Sequence, residues 1–94
     1  MANYDILWTY EAENDLDDIF EYYFQKSQLA AYRIINDIIE SAESLIFSDQ
    51  YQRDTYKTDC RRVVVRHYKV LYTVEQNTAY IIRVFDSRQN PAKI

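Results

Sequence analysis

Residues 61–85 read RRVVVRHYKVLYTVEQNTAYIIRVF, and this stretch decides the fold. Valine, isoleucine and tyrosine dominate it, and their branched or aromatic side chains suit a pleated, half-buried surface. The spacing predicts three strands, Arg61 to Arg66, Tyr68 to Glu75 and Ala79 to Phe85. Glu75-Gln76-Asn77-Thr78 supplies a hairpin turn, with Asn77 the residue suited to positive φ. His67 falls between the first two strands, or at a bulge within a longer one. Alternation puts Arg62, Val64 and Arg66 on one face of their strand and Arg61, Val63 and Val65 on the other. The Tyr68, Val70, Tyr72 and Val74 row reads as core or groove lining rather than a base-stacking platform. Arg83 stands between aliphatic Ile82 and Val84, so it is either a half-buried partner of a carboxylate or a contact residue.

Upstream the hydrophobic period changes. Tyr4 to Trp8 is short and partly alternating, which predicts a first strand from about Asn3 to Trp8. Thr9 can cap a helix with Glu11 and Glu13 in its first turn, where the helix dipole favours acids. Ala12, Leu16, Ile19, Phe20 and Tyr23 draw one apolar stripe along that helix, which should end near Ser27. A second stripe follows at once in Leu29, Tyr32, Ile35, Ile38, Ile39, Ala42, Leu45 and Ile46, with Arg33, Asp37, Glu40 and Glu43 on the wet face. Helices joined by so short a link lie antiparallel as a hairpin. Phe47 to Cys60 lapses into polar residues and reads as a loop, and the tail Asn90 to Ile94 as loosely held. The expected fold class is α+β, in the order β-α-α-β-β-β. A helical hairpin then covers one face of a roughly four-stranded antiparallel sheet in a single domain, residues 1–94.

Composition removes several function classes. The sequence has no glycine, so the phosphate-cradling loops of Walker or dinucleotide type are excluded. The single cysteine, Cys60, cannot form an intramolecular disulfide and has no second zinc-type ligand near it, which predicts a buried, idle thiol in a reducing compartment. No metal site and no cofactor are expected. Met1 to Trp8 lacks a basic segment followed by an apolar run, and no stretch approaches the ~20 apolar residues of a membrane span. A cytoplasmic protein with no membrane partner is the expectation.

Charge divides the chain. Residues 1–50 carry eleven acids against Lys26 and Arg33, a net of −9. Residues 51–94 carry nine bases against Asp54, Asp59, Glu75 and Asp86, a net of +5. Two readings are open. The second half meets an anionic or protein partner, or its arginines simply pair with a solvated acidic helix pair. On the first reading the contact residues are Arg61, Arg62, Arg66, Lys69, Arg83 and Arg88, with Arg62 and Arg66 facing away from the helices.

The element order resembles the RelE/ParE superfamily of bacterial toxins, and three local patterns agree. The first helix carries Tyr10-Glu11-Ala12, Asp15-Leu16, Ile19 and Tyr22-Tyr23. The middle hairpin carries Tyr68-Lys69-Val70-Leu71-Tyr72, and the last strand leads into Arg88-Gln89-Asn90-Pro91. The resemblance covers nearly the whole chain. It implies a toxin that halts growth of its own cell unless a cognate antitoxin wraps and neutralises it, with operator DNA met only through the antitoxin complex.

Two chemistries occur in that superfamily. The ParE-like branch poisons DNA gyrase without a reaction of its own, and the RelE-like branch cuts messenger RNA on the ribosome. A RelE-like reading would use Lys69, Arg88 and His67 as the catalytic set. The terminal His-Tyr pair or base-stacking tyrosine of RNA-cutting members is missing after Arg88, and a pI near 4.8 is poor for ribosomal RNA. These departures favour gyrase. A non-toxic interaction module of the same fold is the third reading.

Overall fold

The computed structural model describes residues 4–44, 52–54 and 59–88. In chain order they form β1 (Asp5–Trp8), α1 (Tyr10–Phe24), α2 (Gln28–Glu43), β2 (Arg61–Val65), β3 (Tyr68–Glu75) and β4 (Thr78–Asp86). The predicted helical positions Leu45 and Ile46 and the tail Asn90 to Ile94 lie outside the described residues.

Thr9 caps α1 as its sequence position demands, its hydroxyl accepting the Ala12 amide at 3.3 Å. Ser27 does the same for α2 through the Ala30 amide at 3.2 Å. Only Gln25 and Lys26 separate α1 from the Ser27 cap, so the two helices fold back as a hairpin. The buried stripe of α2 is Ala31, Ile34, Ile38 and Ala42, rotated from the expected one. Leu29 and Tyr32 are exposed instead. Ile19, Ile34 and Ile38 meet Val63, Val65, Val70, Tyr72 and Ile81 in one apolar layer. Full burial of an Ile or Val side chain contributes about 1.5–3 kcal/mol. On the other face Cys60, Leu71 and Phe85 make a smaller cluster with Ile82 against it.

The sheet order is β1-β4-β3-β2, with β2, β3 and β4 antiparallel neighbours as expected. β1 departs from the expected all-antiparallel arrangement, since it adds to β4 in parallel. Tight turns impose antiparallel pairing only on the strands they join, and β1 is joined to the sheet through the helical hairpin. Within the β3–β4 turn, Gln76 rather than Asn77 takes positive φ, at 56°. Residues 52–54 lie along the outer edge of β2, where Arg53 bridges Arg61.

The join between layers rests on the edge of β4. β1 pairs with it only as far as Trp8 opposite Ile81. One step on, Leu71 pairs Arg83 while Tyr72 pairs Ile81, so Ile82 is the extra residue of a bulge. The start of α1 covers the edge that β1 leaves bare. Thr9 donates its hydroxyl to the Ile81 and Ile82 carbonyls at 2.7 and 3.1 Å, and its amide to Ile81 at 3.1 Å. Asp15 accepts the Val84 amide at 2.9 Å and the Arg83 Nε and Nη2 groups at 2.8 and 3.1 Å. Replacing Asp15 with Ala removes all three acceptor contacts and should destabilise the fold by about 2–4 kcal/mol in urea unfolding. Asp15→Asn, which keeps an acceptor for the Val84 amide, should lose less. A loss under about 0.5 kcal/mol for Asp15→Ala would show the join to lie elsewhere.

Candidate functional site

The six basic residues expected to share a contact surface are dispersed. Arg62 does lie on the sheet face opposite the helices, beside its cross-strand partner Leu71. Its guanidinium donates to the Arg53 carbonyl at 2.6 Å and to Gln52 Oε1 at 3.5 Å. Lys69 shares that face. Its ammonium is 3.3 Å from the carboxylate of Asp54, which is 2% exposed, and 5.9 Å from the Phe85 ring centroid. Arg61 pairs with Tyr72 and so points to the helix side.

Arg66 corrects the expectation most clearly. It leaves β2 at positive φ, 56°, which ends the alternation that would have turned it from the helices. Its guanidinium instead clasps Asp37 of α2, with Nη2 at 2.7 Å and Nε at 3.0 Å. Arg83 likewise turns to the helices, because the bulge shifts it out of the regular alternation, and its bonds to Asp15 raise its already high pKa. The arginines of the second half therefore pair in part with acids of the first, and no single arginine-bearing face forms.

A different cluster gathers where the end of β4 meets α1. Arg88 holds Asp86 through Nη2 at 2.7 Å and Nε at 3.0 Å, and its amide donates to the same carboxylate at 2.9 Å. That side-chain bond to Arg88 keeps the Asp86 carboxyl down at about 2, against burial that acts the other way. His67 Nε2 stands 3.7 Å from Asp86 Oδ2 and 3.4 Å from the Tyr23 hydroxyl. The Tyr68 phenol, raised by burial and then by the Tyr23 hydroxyl, lies against the His67 ring at 4.4 Å between centroids. Arg88, Asp86, Tyr23 and Tyr68 border an open pocket of about 370 Å³ lined also by Asp18, Tyr22 and Arg83. Sequence reasoning named Arg88 and His67 but missed Asp86, Tyr23 and Asp18. Their convergence depends on α1 lying along the last residues of β4, which no spacing reveals.

The RelE-like set is not brought together. His67 and Arg88 meet through Asp86 on the helix side, whereas Lys69 projects from the opposite face into its pair with Asp54. Among the described residues, no group of three or more His, Cys, Asp or Glu side chains is disposed to hold a metal ion, and no helix is long and apolar enough to cross a membrane.

Because the folded Asp86 pKa is depressed, its contribution to stability is present above about pH 4 and is lost as pH falls towards 2. Asp86→Asn should therefore flatten the acid limb of a stability-against-pH profile measured by thermal melting, with little change at pH 7 in the slope of that profile. An acid limb identical in the two proteins would show that Arg88 does not hold Asp86 in solution.

Comparison with known proteins agrees with this architecture. A search of curated proteins finds no match. Among solved structures the chain is similar to one from the chromosomal ParDE toxin–antitoxin system of P. aeruginosa, with a TM-score of 0.75 and 20% identity over 92% of this chain and 98% of that one. It is also similar to one from the RelBE2 toxin–antitoxin complex of Mycobacterium tuberculosis, with a TM-score of 0.65 and 19% identity over 92% and 93%. The family model for the ParE toxin of the type II toxin–antitoxin system parDE matches residues 6–91, which is most of both layers and the join between them, and the chain belongs to that family.

Proposed function

We propose that the protein arrests bacterial growth by a ParE-like inhibition of DNA gyrase in the cytoplasm, without a bond-making step of its own, and that a cognate antitoxin neutralises it. The observation that carries this reading is the separation of Lys69 from His67 and Arg88. Cleavage through a 2′-hydroxyl needs a base, an acid and a cation within reach of one phosphate. Here the ammonium of Lys69 is held against a buried carboxylate on the far face. The Arg88 guanidinium is already engaged by Asp86. Membership of the ParE family and the acidic character of the chain support the same choice.

The antitoxin follows from the class of system. Both solved structures described above come from toxin–antitoxin systems, and a ParE toxin is named for its place in such a pair. A disordered tail that orders on the toxin can cover a large area of mixed apolar and charged surface. Growth resumes, on this reading, when that cover is supplied in trans.

Expression without an antitoxin should arrest growth, and the purified protein should inhibit supercoiling by gyrase. Transcripts cut at codon positions within translating ribosomes would instead establish the RelE-like reading. His67→Gln separates the two in a single strain. Gyrase poisoning should persist at near wild-type strength, whereas loss of an acid–base group would lower an RNA-cutting rate by roughly 10²–10⁴-fold. Normal growth with soluble folded protein present would leave the fold serving only as an interaction module.

A further inference from the structure

The helical hairpin covers the sheet with one side and leaves an apolar seam on the other. Phe20 of α1 meets the Tyr32 ring of α2 edge-on at 5.1 Å between centroids, and the Phe24 ring at 5.4 Å. Leu29, one turn before Tyr32, extends the patch along α2. Phe24, Leu29 and Tyr32 are 43%, 58% and 56% exposed, so these side chains are open to a ligand as they stand. A single exposed leucine means little, whereas contiguous rings running across two helices mark a contact surface.

Charge frames this seam on both sides. Glu13, Asp17 and Glu21 recur every four residues on α1, in the row beside Phe20 and Phe24, and all three are exposed. Glu40 and Glu43 are exposed on α2. None of the five makes an ion pair among the described residues, unlike Asp15 and Asp37, which Arg83 and Arg66 hold. The hairpin itself carries two cations, Arg33 and Lys26, and Lys26 is bound to Tyr22 on the side of α1 that borders β4. Setting both against the five acids still leaves three negative charges.

We infer that this outer seam of the α1–α2 hairpin is a docking surface for a basic amphipathic helix of a partner protein. The apolar stripe of that helix lies on Phe20, Phe24, Leu29 and Tyr32, and its flanking lysines or arginines meet the acids on either side. The backbone amides of α1 and α2 are used within the helices, so an extended segment would gain no main-chain bonds here. A ligand must bind through its side chains, and a third helix can pack its ridges along the seam of an antiparallel pair. About three turns of it would span the distance from Leu29 to Glu40. The excess of acids repels nucleic acid and anionic lipid, and a second copy of the chain would set the same acids face to face. The inference stands on this surface alone and holds whichever target the toxin strikes.

The probe is the peptide acetyl-Ala-Lys-Leu-Ala-Lys-Leu-Leu-Lys-Ala-Leu-Ala-Lys-Leu-Leu-Lys-Ala-amide, titrated against the full ¹⁵N-labelled chain. Its leucines share one helical face and its lysines border it. Amide shifts should saturate and centre on Phe20, Phe24, Leu29 and Tyr32. Glutamate in place of the peptide lysines should weaken binding roughly tenfold or more. Tyr32→Ser should cost roughly fivefold or more, and Asp17→Asn combined with Glu21→Gln roughly threefold or more. Glu75→Gln, at an exposed acid on the β3–β4 turn, should leave affinity unchanged. All the substituted positions are exposed, and an otherwise unchanged amide spectrum certifies the fold of each variant. Shifts confined to the sheet, equal binding of the glutamate peptide, or an affinity indifferent to Tyr32→Ser would overturn the inference. So would self-association of the chain through the same residues without peptide, which would make a second copy the occupant.

Discussion

The Asp15 carboxylate of α1 receives two hydrogen bonds from the Arg83 guanidinium and one from the Val84 amide, at the point where β4 bulges away from regular pairing. The apolar layer between helices and sheet is not directional, and many sliding positions of one layer on the other would bury similar area. A carboxylate that must meet one particular amide and one particular guanidinium removes that freedom. Thr9, six residues earlier, fixes the entry of the same helix by bonding to the Ile81 and Ile82 carbonyls. Once α1 is placed, the two-residue link to the Ser27 cap places α2, and Asp37 can then reach Arg66.

The opposed charges of the two halves take on a different meaning in this setting. Arg83 and Arg66 of the second half are spent on Asp15 and Asp37 of the first, so part of the asymmetry is internal fastening rather than an outward field. Arg66 and Asp37 are both about half exposed, and such a pair contributes little by itself. The Asp15 bonds are better shielded and also satisfy a backbone donor, which makes their loss more costly. On the opposite face Lys69 pairs with the buried Asp54, an ion pair within the second half itself.

How much of this was legible follows from the kind of signal each feature leaves. The Thr9 cap, the paired helices and the three valine- and tyrosine-rich strands are written in local chemistry and spacing, and the strand boundaries agree to within a residue or so. The parallel setting of β1 is not, because alternation along one strand says nothing of its neighbour's direction. Arg66 was misplaced because face assignment assumes unbroken extended backbone, and a non-glycine residue at positive φ is an infrequent event that composition cannot flag. With no glycine in the chain, Arg66 and Gln76 hold the two left-handed turn positions among the described residues. The bulge at Ile82 likewise redirected Arg83, although the sequence had offered a half-buried pairing with a carboxylate as one of its two roles. The Asp86 cluster needed the tertiary contact between α1 and the end of β4, for which one sequence carries no sign.

The covering of β4 by the beginning of α1 bears on how the chain emerges from the ribosome. Most of an unsatisfied strand edge is a template for stray pairing with other chains, and the last strand of a sheet is made when the rest is already exposed to its surroundings. Here the residues that blunt the edge, Thr9 and Asp15, are synthesised some seventy positions before the Ile81–Val84 segment they protect. The guard is waiting before the hazard appears, so the nascent protein never depends on a later element to shield its most sticky strand.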